Sequence, residues 1–171
     1  GPQIEVLAKK GDPNRYDLPK PIFNKGGCNL SFAGLKTAIL RISKNLKNEK
    51  DKYNLAASFQ KTINEILYEK TKVAMDEFLK NNKNEKNTFV IAGGVASNLS
   101  IRENLINLSK EKNFNSVFPP LNLCSDNAAM IAWAGIERFK KNLTDNLDFP
   151  SKARWQLDES APFLKGPGLK I

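Results

Sequence analysis

The chain has 171 residues and 40% hydrophobic content, enough for one globular domain with a real core. Its net charge of +9 fits a polyanionic partner such as RNA, but it is mostly Lys in an Asn-rich chain, as AT-rich codon usage would also give. There is no histidine, which removes most general-base and zinc-ligand schemes for the chain by itself, and no apolar run approaches the ~20 residues of a bilayer span.

Gly1-Pro2 begins the chain abruptly, as native sequence or as a tag remnant, and reads in either case as part of a longer protein. No charged-then-apolar leader follows. Gln3-Ile4-Glu5-Val6-Leu7-Ala8 reads as a short helix with proline in its first turn, closed by Gly11. Residues 12–30 are rich in Pro, Gly and Asn. Within them Tyr16-Asp17-Leu18 pairs on paper with Cys28-Asn29-Leu30-Ser31-Phe32 as a hairpin with a long loop. Ser31 is the expected cap of a helix to about Leu46, with Leu35, Ile39, Ile42 and Leu46 at helical spacing. Cys28 and Cys124 form no CxxC pair, so a disulfide framework is not expected and the default compartment is the cytoplasm.

After a polar connection, residues 52–81 form the longest predicted helix, with Leu55, Phe59, Ile63, Ile66, Leu67, Val73, Ala74 and Phe78 on its inner face. Residues 87–92 read as a short buried strand ended by Gly93-Gly94. Ser100 and Glu103 have capping-box spacing, predicting a helix through about Lys112. Val117-Phe118 is a second short strand, stopped by Pro119-Pro120. A loop leads to Asp126, and the helix after it is expected to turn Ala129, Met130, Trp133 and Phe139 inward. From Leu147 onward the chain has Pro, Gly and Trp155 but little periodicity, and reads as a docked extended tail or as disorder. Strands alternating with helices argue for an α/β fold, a sheet covered by helices.

Two stretches carry candidate chemistry. In Ala92-Gly93-Gly94-Val95-Ala96-Ser97-Asn98, the glycines allow close backbone approach to a phosphate, and the helix that follows offers free N–H groups and a positive dipole end. The Asn98 amide can donate to or accept from a ribose hydroxyl or acyl carbonyl. Alone, Gly-Gly after a strand is a weak signal, and a plain tight turn is the simpler explanation of the glycines. In Cys124-Ser125-Asp126-Asn127-Ala128-Ala129-Met130-Ile131, Asp126 is either an ordinary helix cap or a hard oxygen ligand, and one carboxylate needs partners to make a metal site.

Read in order, these segments resemble the C-terminal half of the TsaD/Kae/Gcp family, the tRNA threonylcarbamoyladenosine transferases once misnamed O-sialoglycoprotein endopeptidases (glycoproteases). The similarity is carried by Gly1-Pro2-Gln3-Ile4-Glu5-Val6-Leu7-Ala8, Leu18-Pro19-Lys20-Pro21, Ser31-Phe32-Ala33-Gly34-Leu35-Lys36-Thr37-Ala38, residues 92–98 with Arg102 after them, residues 124–132, and Ala153-Arg154-Trp155. The resemblance implies an actin-like, sugar-kinase-like (ASKHA) fold with ribonuclease H-type lobes, this chain being mostly the C-terminal lobe over residues 1–145 with an extended tail over 146–171. It implies that Gly93, Gly94 and Asn98 bind an adenylate or ATP-type nucleotide and that Asp126 is a ligand of one divalent metal, iron or zinc. The other two ligands would be histidines of an HxxxH motif outside this chain. The implied reaction moves threonylcarbamoyl from threonylcarbamoyl-AMP to N6 of the adenosine beside the anticodon in ANN-decoding tRNAs, with TsaB-like and TsaE-like protein partners and no membrane. A fragment without the histidines is expected to be inactive alone. A non-catalytic scaffold paralogue, which tends to lose Asp126 and the glycine loop, ranks second. An ATP-dependent kinase and a metalloprotease, for which HExxH is missing, rank lower.

Overall fold

The computed structural model describes residues 1–82 and 87–151 and divides into two units, Gly1–Asn127 and Ala128–Ile171. In the first, five helices and strands follow one another as α1 (Pro2–Ala8), α2 (Ala33–Ser43), α3 (Glu49–Asn81), β1 (Asn87–Val90) and α4 (Leu99–Glu111), and β2 (Phe114–Val117) completes them. The second holds α5 (Ala128–Lys140). No helix among the described residues is long and apolar enough to cross a membrane.

The organising element is α3, 33 residues long. It starts three residues earlier than its apolar pattern suggests because Asn48 accepts the Asp51 N–H at 2.9 Å, and Asp51 in turn accepts the Lys47 N–H at 3.0 Å. One side of α3 packs Met75 against Ile101, Leu105 and Leu108 of α4 and Phe114 of β2. Its other side packs Leu55 and Ile66 against Leu18 and Leu35, with Ile39, Ile42 and Leu46 around them. Ile63 touches both clusters. Leu108 is 0% exposed, and burial of such a side chain contributes about 1.5–3 kcal/mol.

The strands β1 and β2 are parallel, with Asn87 opposite Phe114 and Val90 opposite Val117, and α4 is the crossover between them. Asn113 takes a left-handed φ of 58° just past α4, the usual way for Asn to stop a helix. The expected fully buried strand is corrected here: Phe89 packs into the core, whereas Val90 is 61% exposed. Through Phe89, one face of β1 packs on the cluster that α3 and α4 build. The second strand also begins earlier than expected, at Phe114.

The expected hairpin over residues 16–32 is absent; these residues form turns and irregular backbone. The reason lies on α3, where Asn54, Ser58, Thr62, Ile66 and Lys70 recur every fourth residue and are buried. Three of them, Asn54, Ser58 and Lys70, hold the loop by its main chain. Asn54 accepts the Asp12 N–H (2.9 Å), Ser58 accepts the Tyr16 N–H (3.1 Å), and Lys70 Nζ donates to the Lys25 and Gly27 carbonyls (2.6 and 3.3 Å). A backbone satisfied this way has no need of a strand partner. Gly11 permits the close approach: a Cβ there would stand 2.0 Å from the Tyr53 carbonyl oxygen.

Two caps also differ from expectation. Phe32, not Ser31, occupies the N-cap of α2, and no side chain caps it. Asn98, not Ser100, caps α4. In α5, Met130, Trp133 and Phe139, expected inward, are exposed, and no residue of that helix is buried. Met130 and Phe139 lie nine positions apart, about 180° round the helix, so these side chains do not form one inward face. Of the tail expected from residue 146, residues 152–171, Trp155 included, lie outside the described residues.

Candidate functional site

Beyond β1 the chain passes Ile91 and Ala92 and turns sharply at Gly93, whose φ is +86°, a conformation that an L side chain resists. A 3-10 turn, Gly94–Ser97, follows and delivers Asn98 to the start of α4. Ala96 N–H donates to the Gly93 carbonyl (3.0 Å) and Asn98 N–H to the Val95 carbonyl (3.1 Å). The first N–H groups of the turn, on Gly94 and Val95, have no partner within it.

This turn forms one wall of a cleft of about 530 Å³, within the size range of small-molecule sites. Pro2, Ile4 and Glu5 of α1, Phe59, Gln60 and Ile63 of α3, and Gly94, Val95, Ser97 and Asn98 line it. The cleft is apolar on the Ile4, Phe59 and Ile63 side and polar where Glu5, Gln60 and Asn98 meet. Gly93 shapes the turn without lining the cleft.

Asn98 has a structural duty. Its Oδ1 accepts the Ile101 N–H at 3.0 Å, the N-cap bond of α4, and its Nδ2 donates to Gln60 Oε1 at 3.0 Å. An amide has two N–H groups and two lone pairs, so these two bonds do not exhaust its capacity. The expectation that the α4 N-terminus offers free N–H groups is narrowed, since two of them are taken by side chains. Besides the Ile101 bond, the Leu99 N–H donates to Glu5 Oε1 at 3.0 Å. Glu5 already sits where the helix dipole favours an anion, and a phosphate would meet Gly94 and Val95 instead. Glu5 escaped the sequence reading because its partner is 94 residues away, on another element.

Asp126 lies on the segment that follows β2. A 3-10 turn, Leu121–Leu123, leads to buried Cys124, then to exposed Asp126. The Asn127 amide folds back, donating to the Ser125 carbonyl at 2.9 Å. Asp126 does not line the cleft. As an exposed carboxylate it can take a cation without first losing a buried partner. Among the described residues, no group of three or more Cys, Asp or Glu side chains is placed to hold a metal ion. An exposed carboxylate such as Asp126 is a hard oxygen donor of the kind a divalent cation accepts.

The TsaD family model, described as tRNA N6-adenosine threonylcarbamoyltransferase, matches residues 1–133. The chain belongs to this family. It is 66% identical over all its residues to the tRNA N6-adenosine threonylcarbamoyltransferase of Pelagibacter ubique (strain HTCC1062), covering 48% of that protein. It is 48% identical over 93% of its length to the enzyme of the same name from Rickettsia massiliae (strain Mtu5), and 43% identical over 99% to that of Cereibacter sphaeroides (strain KD131 / KCTC 12085). The chain spans about half the length of the curated relatives it matches. The TsaD match covers both the cleft and the Asp126 segment, together with the first residues of α5.

Proposed function

We propose that this chain is the C-terminal portion of a tRNA threonylcarbamoyltransferase, and that it supplies one side of the site where threonylcarbamoyl passes from threonylcarbamoyl-AMP to N6 of the adenosine beside the anticodon of ANN-decoding tRNAs. The observation that carries the reading is the cleft. A glycine-turned loop faces an apolar wall and three polar side chains, a combination suited to a nucleotide. Gly93 sets the turn, Gly94 brings backbone N–H toward a phosphate, and Asn98 offers its second N–H and lone pair to a ribose hydroxyl or the acyl carbonyl. The parallel β1–α4–β2 unit supports an actin-like, sugar-kinase-like lobe as the scaffold, with residues 1–145 belonging to it and the tail following.

A divalent metal, iron or zinc, would polarise the carbamoyl carbonyl as a Lewis acid when bound. Asp126 is the ligand this chain contributes, held after the Cys124 turn and open to solvent. The surplus of 27 Lys and Arg over 18 Asp and Glu supports contact with tRNA phosphates. TsaB-like and TsaE-like proteins are the proposed partners, in the cytoplasm.

The test uses the full-length protein with those partners, threonylcarbamoyl-AMP and an ANN-decoding tRNA, and measures threonylcarbamoyladenosine by mass spectrometry of the digested tRNA. The wild-type protein is expected to form it and Asp126→Ala to lose it. Product formation at the wild-type rate by Asp126→Ala, or none by the wild type, overturns the reading.

A further inference from the structure

Arg102 sits one turn into α4 and reaches two separate segments at once. Its Nε donates to the Ala96 carbonyl inside the glycine turn. Its Nη2 donates to the Pro119 carbonyl at 2.8 Å and to the Cys124 sulfur at 3.0 Å, and the guanidinium lies 4.8 Å over the Phe118 ring. These acceptors stand 6 residues before it and 17 and 22 after it. The Cys124 thiol is buried and also approaches the Pro120 carbonyl at 3.5 Å, so the sulfur closes the far side of the same knot. Asp126 follows Cys124 by two residues, and Asn98 follows Ala96 by two.

We propose that Arg102 is a positioning residue that locks the glycine turn (residues 93–98) and the Asp126 segment (residues 119–126) to one helix, fixing the nucleotide-facing wall and the metal-facing carboxylate in a single register. This rests on the functional reading above for its purpose, but the tie itself is geometric. The planar fork of arginine suits the job: two edges serve acceptors in different directions while the face stacks on Phe118. Lysine has the charge but one point of attachment. Removal of the fork leaves the Ala96 and Pro119 carbonyls without this donor, and the glycine turn is then tied to α3 and α4 through Asn98 alone.

The experiment compares wild type, Arg102→Met and Arg102→Lys in the full-length protein. It reads Cys124 alkylation by N-ethylmaleimide at the peptide level, amide hydrogen exchange over residues 94–98 and 119–126, and the dissociation constant for AMP at a temperature where all three are folded. Arg102→Met is expected to label Cys124 about tenfold faster and to weaken AMP binding about tenfold, the equivalent of one strong charged hydrogen bond, with faster exchange in both segments. Arg102→Lys is expected to fall between, and it keeps the test open if the methionine variant does not fold. Faster exchange in only one segment, unchanged Cys124 labelling, or a lower melting temperature with wild-type AMP affinity would each overturn the proposal. Failure of the wild type to bind AMP would instead count against the nucleotide reading, while labelling and exchange still decide the tie.

Discussion

Substitution of Asn98 separates a helix cap from a ligand contact, because the side chain has both an internal role and an open face. Asn98→Ala removes the Oδ1 bond to the Ile101 N–H and the Nδ2 bond to Gln60. Loss of an N-cap costs about 1 kcal/mol and loss of the second bond about 0.5–1.5 kcal/mol, so the variant should lose about 2 kcal/mol. For a domain of this size that lowers the melting temperature by roughly 4–8 °C. Asn98→Ser keeps a cap of equal quality and should stay within about 1 kcal/mol of wild type, the Gln60 bond being the remaining difference. The serine cannot reach into the cleft as the amide does. The two variants therefore differ in stability and share one loss: AMP affinity should fall about tenfold in both, one ordinary to strong hydrogen bond. Calorimetric titration of AMP into the full-length protein well below the transition, beside urea unfolding, measures both quantities. Wild-type AMP affinity in Asn98→Ser would refute the reasoning and leave Asn98 as a cap alone.

Gly11→Ala sets a Cβ 2.0 Å from the Tyr53 carbonyl oxygen, on a helix that cannot yield. The loop must move, straining the Asp12 and Tyr16 bonds to Asn54 and Ser58; urea unfolding should show a loss of at least about 1–3 kcal/mol, and a loss under 0.5 would contradict the close approach. Burial first, then the hydrogen bond and negative charge of Glu77, hold the Cys28 thiol above its ordinary pKa, against a smaller opposing pull from Lys70. Its alkylation should therefore keep accelerating with pH beyond the ordinary cysteine midpoint, and Glu77→Gln should move the midpoint down. The sign for stability follows: the folded state holds the proton more tightly, so this contribution is present below the unfolded pKa and fades as pH rises through the folded one. A Cys28 midpoint at or below that of an unfolded cysteine would rule out the contact.

What the sequence made legible, and what it hid, divides by the range of the interactions responsible. Helices α2 and α3 were legible because their apolar residues recur every three or four positions, and α1 and α4 because of terminus signals, proline in the first turn and a Ser-x-x-Glu spacing, all carried by the segment itself. The loop over residues 12–28 was misread because its hydrogen-bond partners, Asn54, Ser58 and Lys70, lie on α3, 42 or more residues away, and local propensity cannot see them. Ser100 met the capping-box pattern but lost to Asn98, an equally good cap two residues earlier; its hydroxyl accepts from Asn64 instead, at 2.8 Å. The same division runs through the candidate site. The glycine pair and the Asp126 segment were visible as ordered motifs. Glu5 was not, nor were the bonds by which Arg102 reaches both segments, since each pairs residues brought together only by folding. That asymmetry has a physical consequence. The groups that would touch a ligand can be swapped with local effects, whereas the groups that aim them are shared between elements. Substitutions at Arg102 or Glu5 should therefore be strongly non-additive with substitutions in the glycine turn, because all of them act on the position of the same few backbone atoms.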